Sequence, residues 1–162
     1  MTVAAGPGQT TLDAAVLDSS VLICLLMAEP AAPLFITALQ NTTHLYISAA
    51  TRCEAWLAAF NAKGAAGAKQ VEALLAALQV QTIDLSQDSF TLFTDGAQRH
   101  HHKVDSKARL NFGDLFTFAL AKKMALPLFF QGTDFAHTDI QNAMVLLGYD
   151  WSEQGVPLAI NK

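Results

Sequence analysis

The sequence predicts a three-layer α/β domain with a mainly parallel central sheet. Short apolar runs, too uniformly hydrophobic for a sheet wetted on one face, alternate with segments whose apolar residues recur at helical spacing. The chain has 162 residues, of which 52% are hydrophobic and 15% charged, so disorder is excluded and one substantial core is available. No Pro, Gly or Ser linker separates two cores, and no internal repeat is present.

Residues 1–13 carry Gly, Pro and Thr without periodicity and are expected to form a loose leader, followed by a single domain over 14–150 and a C-terminal extension over 151–162. AAVLD at 14–18 reads as the first strand. Ser19 and Ser20 then offer helix caps, and VLICLLMAEP a short helix closed by Pro30. HLYIS at 44–48 is the second strand, with Ser48 capping a helix that shows Cys53, Trp56, Leu57 and Phe60 on one apolar face and ends at Gly64.

Val71, Leu74, Leu75 and Leu78 repeat that spacing in a third helix, VQTIDL at 80–85 alternates as a strand, and Ser86 restarts a helix. The basic stretch RHHHKVDSKAR at 99–109 is the least core-like part and is expected to be exposed. Asn111 and Asp114 bracket a helix start whose apolar face runs from Leu115 to Met124, and Pro127 to Phe130 form a short buried strand. Ala143 to Tyr149 supply a last short strand, and WSEQGVPLAINK is either an edge extension or a partner-binding arm.

Ten Lys and Arg stand against fourteen Asp and Glu, a net charge of −4, so no general attraction to nucleic acid or anionic membrane is offered and phosphate binding must be local. Cys24 and Cys53 both lie among apolar residues, which fits buried, reduced thiols. The longest apolar runs, Val21 to Ala28 and Met124 to Phe130, are far short of the roughly 18 residues a membrane span needs. No Lys or Arg precedes Arg52, and Asp13 and Asp18 interrupt what would be a signal-peptide core, so the expected location is the cytoplasm.

Ligands of parallel α/β sheets bind at the carboxyl ends of the strands, which directs attention to polar residues at strand-to-helix switches. Four acids qualify: Asp18 ends the first strand, Glu54 lies early in the helix after the second, Asp114 lies in the first turn of its helix, and Asp134 follows the Leu128 to Phe130 strand. Taken singly each has a plainer reading: Asp18 as a helix cap, Asp114 as a first-turn acid facing the helix dipole, Glu54 as a solvated helix residue, Asp134 as a turn. Converging, they would repel one another unless a divalent cation were bound, and an all-oxygen set favours Mg²⁺ or Mn²⁺. Such a site suits phosphodiester hydrolysis.

Three blocks carry a family resemblance: LDSSVLICLL around Asp18, AATRCEAWLAAF around Glu54, and LNFGDLFTFALAKKMALPLFFQGTDFAHTDI around Asp114 and Asp134. Together they resemble the PIN-domain ribonucleases and, more narrowly, the VapC-type toxins of bacterial toxin–antitoxin pairs. The last block is the most specific, joining an Asn-Phe-Gly-Asp helix start to a later Gly-x-Asp-Phe. The resemblance implies a metal-dependent endoribonuclease that leaves a 5′-phosphate and a 3′-hydroxyl, with Asp18, Glu54, Asp114 and Asp134 as its acidic site. It further implies Asp18 and Asp114 as direct Mg²⁺ ligands, with Glu54 and Asp134 positioning metal-bound water or a second cation. A VapB-type antitoxin that occludes the site and a homodimer formed through helices are implied in the same way.

Ser19 would orient a ligand or water through its hydroxyl, or cap the helix. One departure stands out: many PIN domains have Thr-x-Asp-x-Asp-Phe after this strand, and here Gly132 replaces the first acid. A VapC subgroup with Gly-x-Asp-Phe shares that feature, which leaves one or two metals open. Asp139 would either compensate or cap a turn.

Arg99, Lys103, Lys107 and Arg109 concentrate four of the ten basic residues just before Asp114, which suggests contact with an RNA backbone beside the site. The resembling toxins have an Arg-His pair near here, so Arg99, His100 and Lys103 are the substrate-binding candidates. His100, His101 and His102 have no Cys or His partners at zinc-finger spacing. GxxxxGK[ST], GxSxG and GxGxxG are all absent, and with them P-loop, α/β-hydrolase and dinucleotide chemistry. A second class of function is a PIN-like module that binds RNA or protein without cutting, motivated by Gly132.

Overall fold

The computed structural model describes residues 10–159. Twelve elements follow in order: β1 (Leu12–Leu17), α1 (Ser19–Leu26), α2 (Ala32–Gln40), β2 (Thr42–Ser48), α3 (Ala49–Ala77), β3 (Gln81–Ile83), α4 (Gln87–His100), α5 (Phe112–Met124), β4 (Leu128–Phe129), α6 (Ala143–Leu146), β5 (Asp150–Trp151) and β6 (Pro157–Leu158). The four-stranded sheet has the order β3-β2-β1-β4, and all three pairings are parallel. Strand alternation divides the core. Ala15, Leu17, Leu45, Ile47 and Phe129 point to the cluster formed with α1, α2 and α3, whereas Val16 and Leu128 point to the cluster formed with α5. This is the expected three-layer architecture.

Several expectations shift in detail. β1 begins at Leu12, which pairs with Thr42, and so takes in the end of the expected leader; the first nine and last three residues of the chain lie outside the described residues. Asp18, rather than a serine, caps α1, because its Oδ2 accepts the Ser20 backbone N–H at 3.0 Å and leaves Ser19 as the first helical residue. α2 had no counterpart in the sequence reading. Gly64, at φ 63° and ψ −154°, is non-helical and divides α3 into two helices across a kink, which agrees with the helix end expected there and the separate helix expected around Val71 to Leu78.

The largest correction concerns the first half of α3. Cys53, Trp56, Leu57 and Phe60 lie on the exposed side, with Trp56 and Phe60 stacked at 5.3 Å. Its buried side is Thr51, Ala55 and Ala59, small residues that let the helix approach closely, so the apolar spacing marked a surface face instead of the core face. Cys53 is accordingly an exposed thiol, while Cys24 is buried, which raises its thiol to about 11.

At the far end, the expected strand from Ala143 is the one-turn helix α6, capped by Asn142. β5 and β6 pair antiparallel as a separate hairpin and do not extend the main sheet. Trp151 packs edge-on against Phe130 at 5.2 Å, and Gly132 donates its N–H to Gly155 O at 2.7 Å. The hairpin thus closes over the turn that follows β4.

Candidate active site

All four acids stand where the parallel strands end. Asp18 follows β1 directly, and its backbone N–H bonds Phe129 O of β4 at 2.9 Å. Its carboxylate is 3% exposed: Oδ1 accepts the Thr117 hydroxyl of α5 at 2.9 Å, and Oδ2 accepts both the backbone N–H and the hydroxyl of Ser20, the latter at 2.6 Å. Ser20 Oγ in turn accepts the Gln131 N–H at 3.0 Å, which couples the turn after β4 to the end of β1.

Asp114 is buried in a reciprocal cap at the start of α5. Its Oδ2 accepts the Asn111 N–H at 2.8 Å, and Asn111 Oδ1 accepts the Asp114 N–H at 3.0 Å. The plainer reading of Asp114 is therefore correct as far as it goes, yet the side chain also faces other acids. Burial raises its carboxyl to about 7; the Asn111 N–H works against that rise, and the charges of Asp18, Asp134 and Glu54 add to it.

Glu54 is half-buried and raised above the usual carboxylate range by burial and by Asp18, with the Ser19 hydroxyl opposing. Its Oε2 is buried without a hydrogen-bond partner. Asp134 is raised by burial and by Asp18, and lowered by the Arg109 guanidinium. These mutual influences place Asp18, Glu54, Asp114 and Asp134 in one electrostatic cluster, with Ser19 beside Glu54.

Among the described residues, no three His, Cys, Asp or Glu side chains are gathered as a ready metal-holding group. Much of the acceptor capacity is engaged inside the protein: three donors hold Asp18 and one holds Asp114. The donor chemistry nevertheless fits a hard divalent cation. Every available atom is a carboxylate oxygen, one of them is buried and unpartnered, and the mutual repulsion is what a cation would neutralise.

The predicted substrate-binding residues lie differently. Arg99 pairs with Asp95 and reaches Asp139 at 3.6 Å, with its guanidinium 5.8 Å from the centre of the Phe118 ring. Lys122 binds the same Asp139 at 2.8 Å. His100 packs against Phe118, and both of its ring nitrogens are buried without partners. Lys103 is exposed in the loop after α4. Of the basic stretch, Arg109 is the residue whose charge acts on the acidic cluster, lowering Asp134; it was counted in that stretch but not among the substrate-binding candidates.

Two further residues escaped sequence reading. A Cβ on Gly113 would sit 2.7 Å from Glu54 Cδ and Oε2, so glycine is what admits that carboxylate beside α5. Thr117 lies one turn beyond Asp114 on the same helix, and that i, i+3 spacing is the signal that could have found it.

The PIN domain family model matches residues 15–141. Ribonuclease VapC30 of Mycobacterium tuberculosis is 33% identical over 125 residues, covering 77% of this chain and 95% of that protein. Ribonuclease VapC of Mycolicibacterium smegmatis is 32% identical over 128 residues, covering 77% and 96%. Among solved structures, that of Mycobacterium tuberculosis VapC20, described as a sarcin-ricin loop cleaving toxin, is similar at TM-score 0.62 and 17% identity, covering 77% of this chain and 95% of that one. A toxin–antitoxin complex from Klebsiella pneumoniae matches at TM-score 0.57 and 24% identity, covering 77% and 92%.

Proposed function

We propose that this chain, which belongs to the PIN domain family and within it to the VapC ribonucleases, is a cytoplasmic, Mg²⁺-dependent endoribonuclease and the toxin of a VapBC pair. The observation that carries the reading is the convergence of four acids from distant segments at the carboxyl end of the sheet, close enough for three of them to raise the fourth, Asp114. Asp18 and Asp114 would hold the cation. When bound, Mg²⁺ supplies charge neutralisation at the scissile phosphate and an activated water.

The chain's own groups do the rest. Glu54 Oε2, buried and unpartnered, is available to accept a proton or hydrogen bond from the attacking water. Asp134 feels the charges of both Asp18 and Arg109, and the Arg109 guanidinium would contact an RNA phosphate. Ser20 ties the Gln131 turn to Asp18 and thereby sets the Asp134 side of the site against the Asp18 side. Two partners complete the proposal, a VapB-type antitoxin and a second copy of the chain; the exposed stripe Trp56, Leu57 and Phe60 is apolar surface suited to such contacts. Among the described residues no helix is long and apolar enough to cross a membrane.

The test is cleavage of total cellular RNA by the purified chain with Mg²⁺ or Mn²⁺, alongside EDTA and an identically purified Asp114→Asn variant. Discrete cuts lost in both controls are expected. RNA binding without cutting by the metal-loaded chain would overturn the reading in favour of a binding module.

A further inference from the structure

Four buried oxygens form a continuous chain from the N-cap of α3 to the acidic site. Ser48 Oγ lies 2.7 Å from Thr51 Oγ1, Thr51 Oγ1 lies 3.0 Å from Thr117 Oγ1, and Thr117 Oγ1 lies 2.9 Å from Asp18 Oδ1. The four residues are between 0% and 3% exposed, so water does not compete for these bonds.

Proton counting fixes their direction. A carboxylate only accepts, so Thr117 gives its single hydroxyl proton to Asp18 Oδ1. Thr117 must then accept from Thr51, and Thr51, its proton spent, must accept from Ser48. Ser48 Oγ still accepts the Thr51 backbone N–H at 3.0 Å, its role as the helix cap. Every hydroxyl therefore points toward Asp18, an arrangement in which each bond polarises the next.

The same counting applies to the carboxylate. Oδ2 accepts two bonds from Ser20 and has no acceptor capacity left, whereas Oδ1 accepts only Thr117 and keeps one lone pair. The oxygen left to meet a cation is thus the one the hydroxyl chain holds. Resting on the functional reading above, we propose that Ser48, Thr51 and Thr117 are positioning residues that act through Asp18 Oδ1, setting the plane and donor environment of the oxygen that binds the divalent cation. The chain joins β1, α3 and α5, the elements that carry or lead into Asp18, Glu54 and Asp114, so it also sets these three acids relative to one another.

The experiment compares Thr117→Val, which keeps the shape and removes the hydroxyl, with Thr117→Ser, which restores it, and with Thr51→Val, which breaks the chain one bond away from the acid. Two readouts are taken on the full chain: Mn²⁺ affinity by calorimetry, and the Asp18 carboxyl ¹³C resonance in metal-free protein. Thr117→Val is expected to weaken Mn²⁺ binding about tenfold or more, as loss of an orienting partner commonly does, and to shift the Asp18 resonance. Thr117→Ser should recover both, and Thr51→Val should show a smaller change of the same sign. Wild-type affinity and an unmoved resonance in a folded Thr117→Val protein would overturn the inference. If wild type itself binds no Mn²⁺, the metal-dependent reading falls, and the resonance still decides whether the hydroxyl chain governs Asp18.

Discussion

The Glu54 carboxylate occupies the space that the absent side chain of Gly113 leaves open at the start of α5. The two residues lie far apart in sequence, yet a methyl at Gly113 would meet Glu54 Cδ and Oε2 at 2.7 Å. Gly113→Ala should therefore move the carboxylate without unfolding the helix, since alanine at a helical position gains up to about 1 kcal/mol over glycine. RNA cleavage is expected to fall about a hundredfold, the usual scale for a small displacement of a reacting group, while the denaturation midpoint stays near wild type. Full activity in Gly113→Ala would show that Glu54 is not needed in its present position.

Arginines near the site separate into engaged and available groups. Arg99 is held by Asp95 and Asp139 on a half-exposed surface, so Arg99→Ala should cost no more than about 1 kcal/mol of stability. Arg109 has no ion-pair partner among the described residues, and its charge lowers Asp134. Arg109→Ala is expected to weaken RNA binding and lower the slope of log K against log salt by about 1, and Arg99→Ala to leave that slope closer to wild type. Filter binding across a salt series distinguishes the two, and equal slopes would return Arg99 to the substrate contacts.

The acids were legible because their chemistry is local. Asp18 stands at a strand-to-helix switch and caps α1, while Asp114 lies in the first turn of α5 as the partner of the Asn111 cap, so in both a capping role and a site role fall on one residue. Gly113 and Thr117 were hidden because their roles depend on partners from other elements: Glu54 on α3 and Asp18 after β1. The α3 face was misjudged for a related reason. Periodicity located the stripe of Trp56, Leu57 and Phe60, but burial went to Ala55 and Ala59, because close helix packing favours the side with the smaller residues. Ser86 and Asn111 were correctly placed at helix starts, since capping depends only on neighbours three residues away.

Gly155 explains how the terminal hairpin is fastened. It has φ 76°, and a Cβ there would overlap the backbone of Gly132, itself at φ 102°. Gly64 also has positive φ, 63°, but open space around its Cβ position. Gly64→Ala should therefore cost only the backbone strain, about 2–3 kcal/mol at a φ/ψ almost exclusive to glycine, whereas Gly155→Ala should add a displacement of the Gly132 turn to its own strain and cost more. Urea denaturation of both variants measures the difference, and equal losses would mean that the Gly132 contact yields freely.

The acidic cluster also sets a pH dependence for the metal-free chain. Asp114 rises from 3.8 to about 7 on folding, so between those values the folded state holds a proton that the unfolded state has released. The unfolded state binds fewer protons there, and this group's contribution to stability must fall as pH increases from about 4 to 7, then level off. The full interval corresponds to an upper limit of about 4 kcal/mol. His100, lowered mainly by burial, acts in the opposite sense below its ordinary value of 6.5. Comparison with Asp114→Asn isolates the carboxyl: in EDTA, the variant should gain melting temperature relative to wild type at pH 8 and lose that advantage at pH 5. Mg²⁺ should raise the wild-type melting temperature at pH 8 and do so less in the variant, because neutralising the cluster substitutes for the proton. A melting-temperature difference between the two proteins that is constant from pH 5 to pH 8 would exclude Asp114 as the titrating group.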